Sequence, residues 1–124
     1  MAIINVTPDS FYGASRRSSA DEVRCAVELS VADGATIVDI GGYSSRPGAA
    51  EVDTEEEWRR VRMGLQAVAD ASVDVVVSID TFRSDVVRRA YEEFGEFIVN
   101  DISAGEIDGH MVGEVARLAL PYVA

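Results

Sequence analysis

The chain has 124 residues, 48% of them hydrophobic and 27% charged, a composition that suits one ordinary soluble domain and excludes a disordered tail. Its 22 acidic residues face 11 arginines and no lysine, and the formal charge of -11 argues against nucleic acid as a partner, so small molecules or proteins are expected instead. No apolar run nears the roughly 18 residues of a membrane span and no secretory signal is visible in residues 1–20, which predicts a cytoplasmic protein with no membrane partner.

The first predicted strand, Ala2 to Val6, runs into "NVTPDSF", where Pro8 cannot extend a central strand and Asp9 and Ser10 favour a turn. A helical pattern follows, with Ser19 and Glu22 as a capping box, Val23, Ala26, Val27 and Val31 on one face, and Gly34 at its close. The single Cys25 lies within this pattern; it excludes an intrachain disulfide and reads as a helix residue. A second strand, Thr36 to Ile40, leads into the polar loop "GGYSSRPGAAEVD", and Thr54 with Glu57 repeats the box before Trp58, Val61, Leu65 and Val68. The third strand, Val75 to Ile79, ends in "SIDT", and its helix carries Val86, Val87, Ala90 and Phe94 up to Gly95. The fourth, Phe97 to Val99, ends in "NDIS"; a helix with Val112, Val115, Ala116 and Ala119 then leads to Pro121 and a strand beginning at Tyr122.

Short, nearly continuous apolar strands suit a parallel sheet covered on both faces. The alternating order predicts an α/β architecture with right-handed crossovers, which fits either a doubly wound sheet or the first four βα units of a (β/α)8 barrel plus the start of strand five. No linker or repeat marks a second domain, so residues 1–124 read as one partial domain.

Each complete strand ends in polar groups: Asn5, then Asp39 with the glycine-rich loop, then Asp80, then Asn100 with Asp101. In parallel α/β folds the loops at the carboxyl ends of strands line the active site. Each group also has a plain structural reading: Asp80 and Thr81 as a helix cap, Asn5 as a turn residue, Gly41 and Gly42 as a tight bend. In the second loop, Ser44, Ser45 and Arg46 between glycines suggest an anion clamp, since hydroxyls donate and an arginine fork suits phosphate or carboxylate. It is neither a Walker loop nor a dinucleotide turn. Asp80 and Asn100, at the ends of neighbouring strands, offer a carboxylate acceptor beside an amide, a pair able to read the edge of a heterocycle. His110, at a predicted helix start, reads as a surface or capping residue. Without a cluster of His and Cys, any metal would be a hard ion such as Mg²⁺ held by oxygens.

"INVTPDSF", "DIGGYSSRPGA", "SIDT" and "NDISAG", in this order, resemble the dihydropteroate synthases of folate biosynthesis, over essentially the whole chain but only about the first half of such an enzyme. The resemblance implies a (β/α)8 barrel and a transferase joining 6-hydroxymethyl-7,8-dihydropterin diphosphate to p-aminobenzoate, with release of diphosphate. It also implies that Asn5 helps hold Mg²⁺ with the diphosphate and that Asp80 and Asn100 bind the dihydropterin ring. By the same resemblance Ser45 and Arg46 contact diphosphate and aminobenzoate, and the first loop, with Thr7, Pro8, Asp9 and Phe11, folds over the aminobenzoate pocket. Asp80 and Arg46 are then the expected catalytic groups. Tyr43 and Ser45 depart from the Glu and Thr common at these motif positions, and the pterin-site lysine of the family's second half has no counterpart in a chain without lysine. The expectation is therefore an amino-terminal half, inactive alone and a homodimer when complete. Two alternatives stay open: a pterin-binding methyltransferase on the same barrel, and a noncatalytic half-barrel that needs a partner.

Overall fold

A computed structural model describes residues 2–6, 16–42, 53–71, 73–101 and 108–123. The elements run β1 (Ala2–Asn5), α1 (Arg16–Ala32), β2 (Ile37–Gly41), α2 (Thr54–Ala71), β3 (Val76–Asp80), α3 (Ser84–Phe94), β4 (Ile98–Asn100), α4 (Met111–Leu118) and β5 (Tyr122–Val123). All five strands are parallel and lie in the order β1-β2-β3-β4-β5. A doubly wound sheet reverses its strand order at a switch point, whereas each helix here carries the chain one place further in the same direction. That is the progression of a (β/α)8 barrel wall.

Side chains alternate across a strand, and the two faces of this sheet differ sharply. Ile4, Val38 and Ile40 are buried with Val23 and Val27 of α1, while Ile79 and Val99 are buried with Val61, Val87 and Met111 of the later helices. On the alternate positions Ile3 is 68%, Val76 50% and Val123 51% exposed. Among the described residues helices cover only the first of these faces, while on the second Asp39 and Ser78 are buried and the strand-end positions are more open. Burying the large apolar side chains of the helical side, at about 25 cal/mol per Å², is what fixes the layer.

Several helix ends differ from the sequence expectation. α1 starts at Arg16, so Ser19 lies inside it and does not cap it; Gly34, at φ +103°, closes the segment as expected. The cap of α2 is Asp53, whose Oδ1 accepts the Glu56 N–H at 2.8 Å, and Thr54 is already helical. This frees Glu57 to turn inward. α3 ends at Gly95, φ +86°, whose N–H donates to the Tyr91 carbonyl. In α4 the buried residues are Met111 and Val115, while Val112 is 59% exposed and Ala116 is exposed, so the apolar face sits one position away from the predicted one. Cys25 is exposed on α1.

Candidate functional site

The parallel register builds a transverse row at the carboxyl ends of the strands: Asn5 pairs with Gly41, Gly41 with Asp80, Asp80 with Asn100 and Asn100 with Val123. Strands lie about 4.8 Å apart, so Asp80 and Asn100 project side by side from the face opposite the described helices. Both are half-buried. The structure thus brings together the two residues predicted to read a heterocycle, and it aligns the Asn5 backbone with them. The side chain of Asn5, and Thr7, Pro8, Asp9, Phe11, Ser45 and Arg46 altogether, lie outside the described residues.

One row deeper, Ile3, Asp39, Ser78 and Ile98 are in register. Asp39 is 2% exposed, and Ser78, fully buried, donates from Oγ to Asp39 Oδ1 at 2.7 Å. Asn100 Nδ2 lies 3.5 Å from both Asp39 oxygens, a long contact that reaches across β3. Burial pushes the Asp39 carboxyl above the usual carboxylate range, while the Ser78 and Asn100 donors pull it back. In the sequence Asp39 stands only as one of the strand-end polar groups. The available signal was an acid inside an otherwise apolar strand, two residues before the row.

A second buried carboxylate supports the strand ends from behind. Glu57, in the first turns of α2, is fully buried, and Arg83 Nη1 donates to its Oε1 at 2.9 Å while Oε2 has no hydrogen-bond partner among the described residues. Burial raises its pKa, opposed by the Thr81 hydroxyl and the Arg83 charge. The Thr81 Oγ1 accepts the Arg83 N–H at 3.1 Å, and the Thr81 N–H donates to the Asn100 carbonyl, so the "SIDT" turn is tied both to β4 and to α3. Thr81 therefore organises the turn and does not cap α3, whose first residue is Ser84; Asp108 Oδ2 accepts the Ser84 N–H and hydroxyl at 2.7 and 2.8 Å. A Cβ at Gly42 would lie 2.8 Å from the Glu57 carbonyl oxygen, so this glycine is required where β2 meets α2.

Other polar groups resolve as structural. Asp101, fully buried, accepts from the Tyr122 hydroxyl at 3.0 Å and links β4 to β5. His110 is exposed and precedes α4 without a side-chain cap bond. Two clefts of about 510 and 310 Å³ are lined by α1 and α2 residues with Asp53, such as Asp21, Trp58 and Arg62, and no strand residue enters them. Among the described residues no group of three or more His, Cys, Asp or Glu side chains could hold a metal ion, and no helix is long and apolar enough to cross a membrane.

The profile of the family described as pterin binding enzyme matches residues 1–124. A dihydropteroate synthase of Streptococcus pyogenes is 39% identical over 123 residues, covering 99% of this chain and 46% of the relative. The crystal structure of a dihydropteroate synthase from Clostridium difficile with pteroic acid superposes with a TM-score of 0.89 at 34% identity, covering 98% of this chain and 46% of that one. A Xanthomonas albilineans dihydropteroate synthase with 4-aminobenzoic acid gives 0.86 at 35%, with 98% and 44% covered. The chain thus spans less than half the length of these proteins, and its wall of five ordered parallel strands is the corresponding part of their barrels. On its full-length family match and its strand-end row of Asn5, Gly41, Asp80 and Asn100, the chain belongs to the pterin binding enzyme family.

Proposed function

We propose that residues 1–124 are the amino-terminal half of a dihydropteroate synthase, which condenses 6-hydroxymethyl-7,8-dihydropterin diphosphate with p-aminobenzoate. The observation that carries this reading is the register of Asp80 beside Asn100, a carboxylate and an amide on the sheet face opposite the helices in a chain of this family. Pteroic acid and 4-aminobenzoic acid, present in the two solved relatives, have the two chemistries that the reading assigns to this site.

In the reaction the bond from the pterin methylene carbon to the diphosphate oxygen breaks, and the arylamine nitrogen bonds to that carbon and loses a proton to solvent. Asp80 holds ring N–H groups and stabilises the positive charge that spreads into the pterin as the leaving group departs. Arg46 and Ser45 receive the developing charge on the diphosphate, and Asp9 and Phe11 of the first loop border the aminobenzoate. No covalent enzyme intermediate is required. Mg²⁺, when bound, would supply charge neutralisation on the diphosphate, and Asn5 would contribute an amide oxygen to an ion held mostly by water and phosphate. The same reading places the complete protein in the cytoplasm as a homodimer.

The test is product formation. A protein carrying residues 1–124 with a complete barrel is expected to make dihydropteroate from the two substrates, and to transfer no methyl group to or from a pterin cofactor. Absence of product from a folded protein that binds both substrates overturns the assignment.

A further inference from the structure

Asn100 is a symmetric-looking side chain with opposite chemistry at its two ends, and which end meets a ligand depends on what holds it. Its Nδ2 faces both oxygens of Asp39, and the Asp39 carboxyl is fixed in turn by the Ser78 hydroxyl. Turning the amide over would aim Oδ1 at a carboxylate, lone pair against lone pair, in a place where Asp39 is 2% exposed and water cannot intervene. The partners of Asp39 are a hydroxyl and an amide, with no arginine paired to it among the described residues.

We infer that Asp39 is a positioning residue: its buried carboxylate takes the Asn100 N–H groups and turns Asn100 Oδ1 toward the ligand as an acceptor beside Asp80. Ser78 completes the device by holding the carboxylate. The row end then presents two neighbouring acceptors, which select a heterocycle edge carrying adjacent ring N–H and amino donors. This deepens the pterin-site reading and rests on it.

The experiment compares four forms of the full-length protein: wild type, Asp39→Asn, the exchange Asp39→Asn with Asn100→Asp, and the milder Ser78→Ala. In ligand-free protein, NMR of the Asn100 side-chain amide is expected to show protons protected from exchange in the wild type, and altered shifts and faster exchange in Asp39→Asn. Calorimetry with pteroic acid is expected to give a Kd raised about tenfold by Asp39→Asn, because an amide at 39 offers a donor and turns Asn100 over. The exchange restores one donor facing one acceptor and again presents an oxygen at position 100, so it recovers affinity to within about threefold of wild type. A merely structural role predicts no such recovery. An exchange variant as weak as Asp39→Asn, or an Asn100 amide spectrum indifferent to Asp39→Asn and Ser78→Ala, overturns the inference. Wild type that fails to bind pteroic acid removes the pterin reading, while the amide spectrum still decides the role of Asp39.

Discussion

The fully buried Glu57 carboxylate and the Arg83 guanidinium form an ion pair at 2.9 Å that joins the start of α2 to the residue preceding α3. The arginine also lies over the Phe82 ring, 4.9 Å from its centroid. Breaking a buried pair leaves an uncompensated charge, which costs on the order of 3 to 5 kcal/mol.

Arg83→Gln is therefore expected to destabilise strongly, and more at pH 8 than at pH 5. The sign follows from the raised pKa of Glu57: the folded value lies above the unfolded one, so charged Glu57 opposes folding at high pH and the penalty fades as pH falls through the folded pKa. Removing Arg83 takes away a contribution that lowers that pKa, which enlarges the high-pH penalty. Urea unfolding at the two pH values checks this; an equal loss at both would show that the charge of Glu57 is not what Arg83 supports.

Two glycines in helices are expected to respond oppositely to alanine. A Cβ at Gly64 of α2 would sit 2.6 Å from Ile40 Cγ2 and 3.2 Å from Val6 Cγ2, so Gly64→Ala forces the helix away from β2 at about 1 to 3 kcal/mol. At Gly113 of α4 nothing lies within 4 Å, and Gly113→Ala should stabilise by up to about 1 kcal/mol through helix propensity alone. Thermal melts of the two variants give the comparison, and a destabilised Gly113→Ala would contradict the packing of α4.

Asp80→Asn is expected to weaken pterin binding and leave the diphosphate subsite intact. The substituted amide brings donors toward ring N–H groups and loses the negative charge. Separate calorimetric titrations with a nonreactive pterin and with Mg²⁺ and diphosphate distinguish the outcomes, equal loss in both marking Asp80 as structural.

Arg46→Ala in a complete enzyme should cut the reaction by about 2 to 4 kcal/mol of transition-state stabilisation and leave folding nearly unchanged. The motivation is its place between Gly42 and Gly48 in a polar loop. Steady-state kinetics with a parallel melting curve measure both quantities, and unchanged kinetics would remove the anion clamp.

The 124-residue chain by itself should neither form dihydropteroate nor behave as a monomer. Ile3, Val76 and Val123 leave apolar surface on the face opposite the described helices, and β1 and β5 stand at the edges of the sheet. Light scattering should show self-association that weakens in Val76→Glu. A soluble monomer that turns over would refute both parts.

The sequence by itself determined the element order, because apolar runs and glycine stops are local signals: each strand was legible to within one residue, and Gly34 and Gly95 close their segments as read. It also marked Asn5, Asp80 and Asn100 as polar groups where apolar runs end, and the parallel register sets these positions in one row. Helix starts were less legible, because Ser19 and Thr54 satisfy the capping pattern while Arg16 and Asp53 occupy the actual beginnings. Periodicity left barrel and doubly wound sheet both open and the motif resemblance implied the barrel; the tertiary structure bears the barrel out through the strand order β1-β2-β3-β4-β5, which no local pattern encodes. It alone decided that Asp39 meets Ser78 and Asn100, and that Glu57 meets Arg83, 26 residues away. Those pairings arise from parallel register and burial, which bring distant polar groups into one dry place where each must find a partner.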